Sequence, residues 1–125
     1  MINFEMIGVP RAEHEVTAYL SGYEKSNMAK KLNTYGGSEI IGFFPKAKEF
    51  QLFMRSDNYP FYQQFTVPAH AISTFDFTNF DYYHHVDDEA EKMDFEHMTS
   101  FMNRMIPALE GLINASTKEI KMHHE

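Results

Sequence analysis

A chain of 125 residues that is 43% hydrophobic, 15% aromatic and 23% charged has the length and apolar content of one folded domain, so order is expected nearly throughout. It contains no cysteine, which removes disulfides, thiolate metal sites and cysteine nucleophiles together, and its formal net charge of −7 argues against a generally basic surface. No basic stretch leads into an apolar one at the N-terminus and no run of about 18 apolar residues occurs, so the expectation is a cytoplasmic protein without a secretory leader or membrane span.

Taken in chain order, Ile2, Phe4 and Met6 alternate with Asn3 and Glu5, the period of a half-buried strand running to Val9. Pro10 suits a first helical position, and the spacing of Ala12, Val16, Tyr19, Leu20 and Tyr23 predicts a helix from Pro10 to Ser21, stopped by Gly22. Ser26 and Asn27 are caps for a second helix carrying Met28, Leu32 and Tyr35 and ending at Gly36-Gly37. From there the pattern turns to strand, over Ile40–Phe44, Glu49–Arg55, Phe61–Val67 and Ala71–Thr78, with turn chemistry at Ser56 to Pro60.

The polar stretch from Tyr82 to Glu91 reads as a loop. After it Phe95, Met98, Met102, Met105, Leu109 and Leu112 step by three and four, a helical stripe with Asp94 as its cap. Pro107 removes a backbone donor and predicts a kink or break there. A last short strand falls at Glu119–Met122. The expected fold class is therefore α+β in one domain spanning residues 1–125: a strand meander closing into a small antiparallel β-barrel of about six strands, with about three flanking helices.

The residues carry little overt chemistry. His84-His85 with Asp87, Asp88, Glu89 and Glu91 combines imidazole and carboxylate as a metal site would, and the histidines at 14, 70, 97, 123 and 124 can join it only through the fold. Its spacing fits no metal frame, and a solvated acidic loop is the preferred reading, so no metal or other cofactor is expected. Carboxylate neighbours such as Glu13 with Glu15 read as surface charges rather than an acid–base pair. Gly36-Gly37-Ser38 lacks the lysine of a phosphate loop, and no nucleophile elbow or metalloprotease helix occurs, so no catalytic residue is assigned. The methionines of the last helix read as core before groove.

Charge is unevenly spread. Seven basic and six acidic residues through Arg55 give +1, whereas four basic and twelve acidic residues from Ser56 onward give −8. The segment from Lys25 to Ser38 holds no acidic residue, and its Lys25, Lys30 and Lys31 lie near Tyr23 and Tyr35. Aromatic rings beside lysines are the elements of single-strand nucleic-acid binding, in which Phe53, Tyr59, Tyr62 and Tyr83 would be the stacking candidates.

Over its whole length, through the Pro-led first helix, Ile40-Ile41-Gly42-Phe43-Phe44, Phe61-Tyr62-Gln63-Gln64-Phe65 and the Met-rich C-terminal helix, the chain resembles the PrgU-like family of small proteins from pheromone-inducible conjugative plasmids. That resemblance implies a PUA-like RNA-binding barrel and a non-enzymatic regulator restraining conjugation or surface-adhesin genes. RNA is then the expected partner, contacted by Lys25, Lys30, Lys31, Lys46, Lys48, Arg55 and Tyr59. The competing expectation is a protein-binding regulator that meets its partner through the acidic loop or the Met-rich helix, and neither reading involves a membrane.

Overall fold

A computed structural model describes residues 1–116 and 118–123. Among them run, in order, β1 (Ile2–Phe4), β2 (Ala18–Leu20), α1 (Met28–Gly36), β3 (Ile41–Gly42), α2 (Pro45–Glu49), α3 (Asn58–Phe65), β4 (His70–Ser73) and α4 (Phe95–Asn114), with single 3₁₀ turns at Tyr23–Lys25, Leu52–Arg55 and Ala90–Lys92. The four strands form one open mixed sheet in the order β1-β4-β2-β3. β1 is parallel to β4, β4 antiparallel to β2, and β2 parallel to β3. The α+β content matches expectation, but the closed six-stranded antiparallel barrel does not form.

Burial explains which segments became strands. Ala18-Tyr19-Leu20 and His70-Ala71-Ile72-Ser73 are buried at every position, as central strands covered on both faces must be. Helical spacing places the run Ala18 to Leu20 at the end of a helix from Pro10 to Ser21, and the structure makes it a strand. Tertiary cover, not periodicity, decides it, and Pro10 to Thr17 is irregular chain.

Two further expected strands are helical or turn. Gln51, at φ 56, starts the 3₁₀ turn that replaces Glu49–Arg55. Asn58–Phe65 forms α3 instead of a strand: Phe61 and Phe65 are spaced i, i+4, and Pro60 sits in the first turn, where no helical N–H is lost. Asn58 anchors that helix from inside, donating to the carbonyls of Phe53 and Ala69, both at 3.1 Å. Pro45 opens α2 at its first turn, so the expected strand Ile40–Phe44 shortens to β3. Likewise the expected strands to Val9 and Thr78 stop at Phe4 and Ser73.

The helix after Asn27 forms as expected. Gly37 closes it at φ 75, a left-handed cap conformation open to glycine, with its N–H on the carbonyls of Asn33 and Thr34. Asp94 caps α4 by accepting from the His97 N–H at 2.9 Å. Pro107 lies inside α4, which nonetheless runs unbroken from Phe95 to Asn114. The helix buries Phe101, Met105 and Ala108, so the core stripe is rotated from the expected one; Phe95 and Met102 are exposed.

One apolar cluster joins Ala18, Leu20 and Ile72 of the sheet to Leu32 of α1 and to Phe101 and Met105 of α4. Fully burying side chains of this size stabilises by about 1.5–3 kcal/mol each. α1 and α4 approach closely because residue 111 is glycine: a Cβ there would overlap the ring of Tyr35.

Candidate active site

Ser26 follows the Tyr23–Lys25 turn with extended backbone (φ −154, ψ 173), and His70 is the first residue of β4. The sheet therefore brings together two side chains 44 residues apart, with Ser26 Oγ 2.8 Å from His70 Nε2. On the other side of the ring, Nδ1 lies 2.8 Å from the Ser21 carbonyl, which can only accept. Burial pushes the pKa of His70 down to about 4, against the opposing pull of that carbonyl, so the ring is neutral near pH 7.

A neutral ring has one N–H, and the carbonyl claims it at Nδ1. Nε2 then presents its lone pair to the Ser26 hydroxyl, which donates. Ser26 Oγ also accepts from the Met28 N–H at 3.2 Å, although the N-cap position of α1 is Asn27, whose side chain makes no capping bond. A hydroxyl donating to an imidazole whose far nitrogen is fixed by a third group is the wiring of a nucleophile with its base. Here a backbone carbonyl holds the place that a carboxylate takes in the serine triad. The pair is closed: Ser26 is 3% exposed, His70 is fully buried, and the Phe53 ring centroid lies 5.8 Å from that of His70.

A second histidine borders solvent. His97, half-buried, lies in a cleft of about 230 Å³ with Arg11, Glu13, Glu15, Ser100 and Arg104. Its Nε2 is 3.3 Å from Thr74 Oγ1, and burial lowers its pKa while the Asp94 carboxylate opposes. The charges of this cleft are largely spent on structure. Arg11 reaches the Val16 carbonyl at 3.0 Å and Glu15 at 3.4 Å, and its guanidinium covers the Phe44 ring at 4.9 Å. Arg104 donates to Thr17 Oγ1 at 2.7 Å. Burial raises the Asp76 carboxyl, but hydrogen bonds from Thr78 and the nearby Arg11 outweigh it and hold the pKa below the usual range. A separate apolar cavity of about 200 Å³ is walled by Met6, Val9, Phe75, Phe80, Tyr83 and Met93, with Asp88 at its rim.

The acidic loop gathers no metal set. His85 and Asp87 meet at 3.5 Å, His123 instead lies on the Glu24 carbonyl at 3.0 Å, and His124 falls outside the described residues. Among the described residues no three His, Asp or Glu side chains converge on an ion position. Activation of water by a divalent ion requires about three such ligands, so the described residues do not fit one.

The residues expected to touch RNA are dispersed over several elements. Lys25 lies with its ammonium 5.2 Å from the Phe53 ring and 5.7 Å from that of Tyr62, and Tyr59 meets the same Phe53 edge-on at 5.7 Å. Lys30 and Lys31 are on α1, Lys46 and Lys48 on α2, and Arg55 ends a 3₁₀ turn. Phe53, read as a stacking candidate, is buried. Sequence reasoning had Ser26 only as a cap and His70 only among scattered histidines. No local spacing could join them, because strand order does so.

The buried Ser26–His70 pair, held at the start of a central strand, has the hydrogen-bond wiring that a nucleophile and its base would need. The family model for peptidase family M28 matches residues 1–109, and the chain belongs to that family. Neither the curated proteins nor the solved structures contain a match to the chain. Membership of a peptidase family overturns the PrgU-like resemblance and what it implied: an RNA-binding, non-enzymatic regulator of conjugation or adhesin genes. It equally displaces the alternative of a protein-binding regulator working through the acidic loop or the Met-rich helix. No helix among the described residues is long and apolar enough to cross a membrane.

Proposed function

We propose that the protein hydrolyses peptide bonds, with Ser26 as nucleophile and His70 as general base. The match to peptidase family M28 across residues 1–109 supports peptide hydrolysis, and the 2.8 Å contact between Ser26 and His70 is what supports the assignment of nucleophile and base. As Oγ adds to the scissile carbonyl carbon, its proton passes to Nε2 and then to the leaving amine. Water, deprotonated by the same imidazole, hydrolyses the acyl-serine and restores the hydroxyl. Turnover requires an opening motion, because the pair is shielded from solvent.

Mass-spectrometric digestion of a mixed peptide library tests the proposal. The wild-type chain should cleave, Ser26→Ala should lose about 10⁶-fold in rate, and His97→Gln and treatment with a chelator should leave cleavage intact. Cleavage that survives Ser26→Ala, or that vanishes on chelation, would remove Ser26 from the mechanism. No cleavage of any peptide by the folded chain would remove the activity itself.

A further inference from the structure

The backbone beside Ser26 is already paired with a peptide, and that peptide is the chain's own C-terminal segment. After a turn in which the Glu119 N–H meets the Ser116 carbonyl, the segment runs antiparallel to Lys25–Asn27, with Met122 bridged to Ser26. The Asn27 N–H donates to the Lys121 carbonyl at 3.1 Å, and the His123 N–H to the Lys25 carbonyl at 2.8 Å. The Asn27 side chain doubles the clamp, donating to the Glu119 carbonyl at 2.9 Å and accepting from the Lys121 N–H at 2.8 Å.

Two side chains add selectivity. Ile120 packs against the apolar cluster, and the Glu119 carboxylate accepts from the Tyr35 hydroxyl at 2.5 Å. Lys121, between them and the bridge, is exposed. Main-chain pairing for affinity with pockets for particular side chains is how extended peptides are recognised at a sheet-like edge.

We propose that Lys25–Asn27 is a peptide-binding edge, that residues 119–123 fill it as an internal ligand, and that peptides bearing an acidic residue followed by a branched aliphatic one take their place. The proposal adds a substrate class and an autoinhibitory contact to the peptidase reading, on which it rests for the fate of the bound peptide. Occupancy of the edge is a separate matter from hydrolysis. A tethered segment competes at an effective concentration of order millimolar, so an outside peptide binds appreciably only once the tethered one is weakened.

Fluorescence anisotropy of a labelled peptide with the sequence of residues 118–123 tests the edge. The double variant Glu119→Ala/Ile120→Ala leaves the edge intact while weakening its occupant, and should bind this peptide at least tenfold tighter than wild type. A peptide with aspartate in place of the isoleucine should bind neither. A variant with wild-type circular dichroism that binds no tighter, or that binds both peptides alike, overturns the proposal.

Hydrogen exchange on the unmodified chain serves if that variant does not fold. Peptide supplied well above the millimolar effective concentration of the tethered segment should deprotect the Lys121 and His123 amides while the Asn27 amide stays protected, and unchanged exchange at all three under that excess overturns the proposal. Cleavage assays read separately: binding without cleavage leaves the edge standing and counts against hydrolysis, whereas cleavage without binding sinks the edge alone.

Discussion

Ser26 and His70 share one proton-ordered hydrogen bond because the Ser21 carbonyl dictates which ring nitrogen is protonated. The arrangement holds only while the ring is neutral, and this ties stability to pH. An unfolded histidine titrates near 6.5 and His70 in the fold at about 4, so between these values the unfolded chain binds the extra proton. Stability should therefore be fully present above about pH 6.5 and fall as pH drops toward 4, by about 3 kcal/mol from this group. Urea unfolding of wild type and His70→Asn across that range should show the shallower slope in the variant. Equal slopes would mean that His70 does not carry the effect.

Asn33 fastens α1 to the chain entering β3. Its Oδ1 accepts from the N–H groups of Ile40 and Ile41 at 3.0 and 2.9 Å, and its Nδ2 donates to the Ile41 carbonyl at 2.7 Å. Asn33→Ala strands these buried groups and should cost about 2–4 kcal/mol in urea unfolding at an unchanged m-value. A cost under about 0.5 kcal/mol would show that water satisfies them.

The methionines of α4 offer a paired comparison. Met105 is 2% exposed and Met102 is 56% exposed, on the same helix. Met105→Ala should lose about 2–5 kcal/mol, Met102→Ala less than about 0.5 kcal/mol. Similar losses at both positions would place a partner on the exposed side of the helix.

The hydrogen bond to Glu119 raises the pKa of Tyr35, because it stabilises the phenol over the phenolate. Glu119→Ala should return the Tyr35 titration toward its ordinary value, as followed by NMR of the ring. An unmoved titration would show that the carboxylate and the hydroxyl do not meet in solution.

Local chemistry made α1 and α4 legible and left α2, α3 and the sheet obscure. Gly37 and Asp94 bound α1 and α4 through cap interactions that depend on near neighbours alone, and such signals read directly from sequence. Phe61 and Phe65 satisfy both a strand alternation and an i, i+4 helical pair, so only Asn58, buried between the carbonyls of Phe53 and Ala69, settles that segment as helix. Ala18-Tyr19-Leu20 is a strand because other elements cover it, information that lies at residues 41–42 and 72–73. The candidate site suffers most from this: Ser21 and Ser26 come from one stretch and His70 from another 44 residues on, with no motif spacing to recognise. Lysines, by contrast, are conspicuous in sequence: Lys30, Lys46 and Lys48 are exposed on α1 and α2, and Lys31 is half-buried.

The strand order has a consequence for synthesis. β4 lies between β1 and β2 although it is the last of the four to be made, and it supplies partners to both. Until residue 73 has left the ribosome, β1 and β2 have no neighbour in common, and the edge of Ala18–Leu20 that faces β4 stays unpaired, although β3 can already meet the other edge. Pairing over such separations pays loop-closure entropy before any contact repays it, so folding should be slow for a chain this short and leave a window in which a chaperone can bind.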